Sequence, residues 1–337
     1  MKTHLLGLTL DELTKVALDN GLPKFVGKQM CEWLYKKHVS SIDDMTNISL
    51  KNRELLKEKY EIGRYLFADR IVSNDETVKY LFEASEGKYI ESVMIPDKER
   101  MTLCISSQIG CKMNCLFCAT GKQGFSGQLS VSQILNQVLS VEESEMLTNI
   151  VFMGMGEPMD NLNNVLKVIE ILTADYGFAW SPKRITVSTI GIMPAMERFI
   201  NSCSCHLAIS LHAPNAMERQ LLMPMQKTQN ISHTISVIRK YDWSHQRRVS
   251  FEYIMFEDLN DTDEHALQIV ELLKGISCRV NLIRFHAIPN VGLKPSSQEK
   301  MEHFCNLLNR KNITTTIRRS RGEDIMAACG MLARTKK

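Results

Sequence analysis

From about residue 86 onward, short strand-like runs alternate with helical patterns, and this alternation limits the chain to few architectures. The runs fall at 102–107 (TLCISS), 149–154 (NIVFMG), 185–190 (ITVSTI), 206–211 (HLAISL), 249–256 (VSFEYIMF), 279–286 (RVNLIRFH) and 313–319 (ITTTIRR). Between most of them, apolar residues recur at helical spacing. Val131, Ile134, Leu135 and Val138 share one face of 131–142, and Leu267, Ile269, Val270 and Leu273 lie in 263–274. Ser296-Ser297-Gln298-Glu299 reads as a capping box opening 297–310. Strand–helix alternation over roughly 230 residues implies an α/β fold, a parallel sheet with helical crossovers that is open or closed into a barrel. Such folds place their sites at the carboxyl ends of the strands.

The first 85 residues read differently. Thr9-Leu10-Asp11-Glu12 is a capping-box pattern and Asn20-Gly21 a helix stop, which predicts a helix over 10–20. Met30, Trp33 and Leu34 mark a helix over 27–38, and Leu55, Leu56 and Tyr60 one over 50–60. Tyr65–Val72 and Thr77–Ala84 flank Ser73-Asn74-Asp75 as a hairpin. The expected organisation is a small helical N-terminal domain with a linking hairpin over 1–85, followed by an α/β domain over 86–337.

The chain has 337 residues, 44% hydrophobic and 23% charged, enough for one barrel-sized core and a smaller appendage. No run of 18 apolar residues occurs, so no membrane span is expected. The N-terminus lacks the long apolar region of a signal peptide, and a cytoplasmic location is expected. In that compartment ten cysteines point to metal or redox chemistry before structural disulfides. The net charge of +3 says little, but basic residues are grouped at Lys183-Arg184, at Arg247-Arg248, at Arg318-Arg319 with Arg321, and in the tail at Arg334, Lys336 and Lys337. Such groups can meet a polyanion such as RNA, although an ordinary solvated surface explains them equally well.

Cys111-Lys-Met-Asn-Cys115-Leu-Phe-Cys118 is a C-x3-C-x2-C triplet just after the first barrel-type strand. Three thiolates can hold three irons of a [4Fe–4S] cubane and leave the fourth open, whereas an electron-transfer cluster uses four cysteines. An open iron can chelate the amino and carboxylate groups of S-adenosylmethionine, and an electron then splits its sulfonium bond to give a 5′-deoxyadenosyl radical. Structural zinc is the competing reading, though zinc sites usually show a second cysteine pair downstream.

The triplet in CISSQIGCKMNCLFCATGKQGF resembles the radical S-adenosylmethionine superfamily. Together with GMGEP, STIG, SLHAPN, NLIRF and DIMAACG it resembles the RlmN/Cfr family of RNA adenine methyltransferases over essentially the whole chain. GMGEP followed by Met-Asp-Asn is closer to the RlmN branch, which acts on C2, than to the Cfr branch, which acts on C8. The resemblance implies a partial (β/α) barrel of the radical SAM type. It also implies that Cys329 takes a methyl group from one S-adenosylmethionine to become S-methylcysteine. A radical from a second molecule then removes a hydrogen from that methyl, and the carbon adds to adenine. Cys104 matches the resolving cysteine, which forms a disulfide with Cys329 as product leaves. Glu91 matches the base that takes the proton from the adenine carbon.

By the same resemblance, Gly156 and Glu157 meet the methionine amino group of the cofactor. Ser188, Ser210, Leu211 and His212 meet its ribose and carboxylate. His286 stands where the RlmN type usually has asparagine as the last cofactor contact, a departure that still leaves a hydrogen-bonding group. Cys31, Cys203, Cys205, Cys278 and Cys305 match no motif and read as structural. The implied substrates are 23S ribosomal RNA, in the peptidyl-transferase loop, and tRNA, at the adenosine 3′ of certain anticodons. An electron donor such as flavodoxin or ferredoxin and a monomeric chain complete the expectation. Two rivals remain at this point: C8 methylation of the same ribosomal adenosine, and a non-catalytic RNA-binding protein with a zinc triplet. In the methyltransferase readings the adenine must leave its stack, so the RNA is single-stranded, looped or flipped. Lys24, Lys28, Lys36, Lys37 and His38, with the basic tail, are candidates to grip its backbone.

Overall fold

The computed structural model describes residues 2–243 and 247–333; the basic tail at Arg334, Lys336 and Lys337 lies outside them. The N-terminal unit comprises β1 (Thr3–His4), α1 (Leu10–Asp19), α2 (Phe25–Tyr35), α3 (Leu50–Lys59) and β2 (Tyr60–Glu61), with β1 and β2 paired in parallel. The Thr9 capping box forms as expected. Thr9 Oγ1 accepts from the Glu12 N–H at 3.4 Å, and Glu12 Oε2 accepts from the Thr9 N–H at 2.8 Å, worth about 1 kcal/mol. Helix α2 ends before Lys36 rather than at His38, whose φ of 52° is left-handed and incompatible with helix continuation.

The chain then builds β3 (Asp69–Val72), β4 (Val78–Ser85), β5 (Lys88–Asp97) and β6 (Arg100–Cys104), each antiparallel to the next. Strand β3 starts four residues later than the sequence suggests. At its expected start, the Asn136 side chain takes both backbone groups of Tyr65, at 3.0 and 2.8 Å, in place of a strand partner. The hairpin is not a free linker, because β4 pairs with β5 from Val78 to Ser85 and extends the large sheet.

After β6 come β7 (Gln108–Gly110), α4 (Ala119–Lys122) and β8 (Phe125–Gln128), a short ribbon outside the main sheet. Then follow α5 (Val131–Leu139), β9 (Asn149–Phe152), α6 (Leu162–Thr173), β10 (Ile185–Thr189), α7 (Ala195–Ser202), β11 (His206–Ser210), α8 (Ala216–Leu222), α9 (Ile231–Ile238), β12 (Val249–Met255), α10 (Asp263–Leu273), β13 (Cys278–Arg284), α11 (Gln298–Arg310) and β14 (Thr314–Ile317). The sheet order is β14-β13-β12-β11-β10-β9-β6-β5-β4-β3, and the seven strands from β6 to β14 are all parallel. This is the α/β partial barrel that the alternation and the resemblance imply. At α11 the expected capping box is only an N-cap. Ser297 Oγ accepts from the Lys300 N–H at 3.2 Å, and the third helical residue is Lys300, which has no carboxylate to return the bond.

One continuous core joins α1 and α2 to the strands of the barrel. Beyond β14 the chain crosses back to the antiparallel side as a strap. The Gly322 N–H donates to Asp75 Oδ2 at 3.0 Å, Ser73 Oγ donates to Asp324 Oδ1 at 2.5 Å, and Arg321 lies 3.8 Å from Asp97. Cys329 rides on this strap. Among the described residues no helix is long and apolar enough to cross a membrane.

Candidate active site

The three cysteines occupy the loop between β7 and α4. Asn114 turns the loop with a φ of 51°, a conformation that Asn tolerates better than most residues. Backbone bonds pin the loop on several sides: the Cys111 N–H to Gly124 O at 3.1 Å, the Leu116 N–H to Leu222 O at 2.8 Å, and the Cys118 N–H to Cys115 O at 3.2 Å. The Ala119 N–H donates to Gly330 O at 2.8 Å, and Thr120 Oγ1 to Leu332 O at 2.8 Å. The cysteine loop and the strap carrying Cys329 are thereby tied together, a connection across some 200 residues.

The thiols of Cys111, Cys115 and Cys118 pack beside Met113, Phe117, Met223 and Phe256 at the carboxyl ends of the strands. Burial pushes Cys111 up to about 12 and raises Cys115 and Cys118 as well; Cys118 adds to the rise at Cys111 and Cys115, and Cys329 adds to the rise at Cys118. Among the described residues no group of three or more His, Cys, Asp or Glu side chains is arranged to hold a single metal ion. An all-thiol donor set in an apolar shell, with no fourth protein donor, fits an iron–sulfur cluster with one open position.

One cavity gathers most of the expected contacts: the three cysteines, Gly156, Glu157, Ser188, Ser210, His212 and Cys329. Gly156 has a φ of +101°, and a Cβ there would meet the Gln108 side chain at 2.5 Å, so only glycine fits. Glu157 is buried, and burial pushes its carboxyl up to about 7. The hydrogen bonds that oppose this come from Thr189, Ile190 and Met159, not from a basic side chain. Its two oxygens accept from the Met159 and Ile190 N–H groups at 3.1 and 3.0 Å. A ligand's ammonium group is the counter-charge such a carboxylate lacks. His212 accepts from the Ile254 N–H at Nδ1 (3.1 Å), and burial, with Arg219 nearby, lowers it to about 3. It is therefore a neutral ring, set edge-on to Phe117 with centroids 4.7 Å apart.

A second cavity shares Cys118, Arg318 and Cys329 with the first and adds Cys104 and His286. Burial pushes Cys104 up to about 12; Cys329 adds to the rise, and Arg318 opposes it. His286 faces this strap side, with Nε2 3.0 Å from Ser320 Oγ, rather than the cavity of Glu157 and Ser188. Leu211 is fully buried in the core, and strand alternation turns it away from Ser210's face. Glu91 lines neither cavity. It is buried under the strap, 3.2 Å from Lys79 Nζ and accepting from the Ala333 N–H at 2.7 Å, and burial raises its carboxyl despite Lys79.

Sequence reasoning misses three residues that organise the site. Arg219 is buried and donates to the carbonyls of Ile190, Ser210 and Leu211 at 3.0, 2.9 and 3.1 Å, bracing the carboxyl ends of β10 and β11. Arg318 reads as part of a surface basic group, yet it lies near both Cys104 and Cys329 and 3.4 Å from Glu252, which is itself held by Asn281 at 2.8 Å. No local signal marks Arg219 or Glu252, because their partners come from other strands. Cys203 and Cys205 remain without a third ligand, since His206 beside them is turned to Arg248 at 3.1 Å.

Comparison with known proteins places this geometry. The Radical SAM superfamily matches residues 105–273, and the ribosomal RNA large subunit methyltransferase N-terminal domain matches residues 3–62. The chain is 57% identical over 335 residues to the probable dual-specificity RNA methyltransferase RlmN of Parabacteroides distasonis, covering 99% of this chain and 98% of that one. It is 41% identical over 341 residues to the dual-specificity RNA methyltransferase RlmN of Buchnera aphidicola, covering 98% and 94%. The crystal structure of a radical SAM methyltransferase from Sphaerobacter thermophilus superposes with a TM-score of 0.93 at 34% identity, over 99% of this chain and 100% of that one.

Proposed function

The chain belongs to the RlmN family of radical S-adenosylmethionine RNA methyltransferases, and from that premise we propose that it methylates C2 of adenosine in 23S ribosomal RNA, in the peptidyl-transferase loop, and in tRNA, 3′ of the anticodon. Membership in an enzyme family sets aside the non-catalytic zinc protein. When bound, a [4Fe–4S] cluster on Cys111, Cys115 and Cys118 and S-adenosylmethionine at its open iron supply the methyl group and the radical that activates it.

Cys329 carries the methyl group. The observation that carries this reading is its shared position, since it lines both the cavity of the cysteine triplet and the cavity of Cys104. From one wall it can receive a methyl group; at the other it can be resolved. Gly156, Glu157, Ser188, Ser210 and His212 orient the cofactor, with the Glu157 carboxylate opposite its ammonium group. Once the methyl carbon is joined to C2, the adduct's odd electron would return to the oxidised cluster held by Cys111, Cys115 and Cys118, and Glu91 takes the proton from that ring carbon, giving up the Ala333 N–H. Cys104 then forms a disulfide with Cys329. The bond between Cys329 sulfur and the product carbon breaks, and that carbon leaves with the electron pair and takes a proton. Arg318 is the cation placed to stabilise both thiolates. His286 lends the strap side a hydrogen-bonding group. The chain works in the cytoplasm as a monomer, with a flavodoxin- or ferredoxin-type donor.

Nucleoside analysis of RNA treated with the reconstituted protein tests the reading. C2-methyladenosine is the expected product, and Cys329→Ala yields none. C8-methyladenosine alone would overturn the assignment to C2, and turnover by Cys329→Ala would overturn the carrier.

A further inference from the structure

The inward-facing residues of the parallel strands change character along their length. From amino to carboxyl end they read Thr186 and Ser188 on β10 with Ile190 just past its end; Ser250, Glu252, Ile254 on β12; and Arg279, Asn281, Ile283 on β13. The carboxyl-end members line the cavities already described, and the amino-end members open into a third, of about 430 Å³, within the ~300–1,000 Å³ range of ligand sites. Arginines crowd its rim: Arg100, Arg248, Arg279 and Arg319 are all exposed there.

Their charges are concentrated and poorly neutralised. Arg100 is paired with Asp97 at 3.2 Å, but among the described residues no carboxylate lies within ion-pair distance of Arg248, Arg279 or Arg319. Arg248 feels both Arg279 and Arg100, and His206 beside them is depressed to about 4, first by burial and then by Arg248, Lys183, Arg247 and Arg279. Holding like charges together in the absence of a ligand costs free energy that a bound polyanion recovers. The rest of the lining mixes hydroxyl and amide side chains with aliphatic ones, His206 and two carboxylates, Asp97 and Glu252, and it holds no Phe, Tyr or Trp on which a free base could stack.

This cavity adjoins the reaction site. Ile95, Met153, Arg318, Arg319 and Arg321 line both it and the cavity of Cys104 and Cys329. An anion held here lies within reach of a molecule that reacts at Cys329. We propose that the amino-end cavity of the barrel is a phosphate cradle, in which Arg248 and Arg279 bind the RNA backbone beside the reacting adenosine. Guanidinium groups suit this task through paired donors to phosphate oxygens. The assignment rests on the RNA methyltransferase reading and adds where the backbone runs.

The test measures binding of a hairpin RNA, with the target adenosine in its loop, to the cluster-loaded full-length protein over a series of salt concentrations. For Arg248→Gln/Arg279→Gln the cradle predicts at least about tenfold weaker binding at moderate salt. The slope of log affinity against log salt should also fall by about 1.4, at ~0.7 for each single-strand phosphate contact. Arg248→Lys/Arg279→Lys keeps the charge and should keep most of both. A Gln pair that binds with the wild-type affinity and slope overturns the cradle alone, as does a Lys pair that loses as much as the Gln pair. A wild-type protein with no affinity for the RNA would overturn the cradle together with the methyltransferase reading.

Discussion

The two ends of the parallel sheet are built from the same strands but suit opposite chemistries. At the carboxyl ends, Ile190, Ile254 and Ile283 close around three thiols, and one carboxylate, Glu157, waits without a basic partner. At the amino ends, Thr186, Ser250 and Asn281 lead to exposed arginines. A reactive carbon radical needs a dry enclosure that offers no competing hydrogen donor or water. A polyanion needs open, hydrated positive charge. One half-barrel meets both needs because period-2 alternation keeps each strand's inward row distinct from the row facing the helices. Strand direction then orders that row from wet to dry.

The sharpest way to break the comparison is to disable the dry end alone. Replacing any one of Cys111, Cys115 or Cys118 with Ala should abolish the broad brown absorbance after anaerobic reconstitution and all RNA methylation, while RNA affinity stays within about twofold of wild type, since the backbone contacts lie elsewhere. A parallel loss of RNA affinity would show that the two ends are not separable.

Glu157→Gln probes the same end through pH. The carboxyl of Glu157 is raised from 4.5 to about 7 in the folded chain, so between those values the folded state holds more protons than the unfolded one, and stability falls as pH rises. The buried charge costs about 3 kcal/mol above pH 7. In metal-free protein the Gln variant should therefore melt higher than wild type at pH 8, with the gap closing as the pH falls toward 4.5. A pH-independent gap would mean that the carboxylate is already neutralised.

Arg247 and Arg248 refine the wet end. They are neighbours in sequence, yet Arg247 turns back to donate to the carbonyls of Ile200 at 2.6 Å, Cys205 at 3.1 Å and Cys203, while Arg248 faces the amino-end cavity. Arg247→Ala should cost about 2 kcal/mol in denaturant unfolding and leave the salt slope of RNA binding unchanged.

The smallest effect is expected in the N-terminal unit. Lys37 is 3.5 Å from Glu32 and sits over the Trp33 ring at 3.7 Å, and His38 is 2.9 Å from Glu145. With part of this basic stretch engaged within the protein, Lys36→Gln/Lys37→Gln should weaken RNA binding only about two- to threefold and flatten its salt dependence slightly. Unchanged binding removes this unit from the RNA surface.

The seven parallel strands are legible in the sequence because each is a short apolar or β-branched run bounded by turns and helices. Strand β5 is harder to read. Ile90 to Met94 are all buried, Glu91 and Ser92 among them, so no period-2 pattern survives. The β7–β8 ribbon is three or four residues a side and leaves almost no periodic signal. Within the site, the triplet is legible because its ligands are close in sequence. Arg219 and Glu252 are not, because their roles depend on which strands lie side by side. The Lys79–Glu91 pair likewise needs the β4–β5 register, in which Leu81 faces Glu91 and Lys79 sits on the diagonal. Basic clusters are visible in sequence, but only the chain path separates Arg248 from Arg247.

The central claim is that the methyl group reaches RNA through Cys329 as a carbon radical. The most direct measurement is mass spectrometry of the methylated nucleoside after multiple turnovers with S-adenosylmethionine carrying a fully deuterated methyl group. One deuterium is removed from the methyl on Cys329 and a proton replaces it at release, so the account predicts 2-methyladenosine whose methyl retains two deuteriums. A product retaining all three would mean direct polar transfer and would contradict the account.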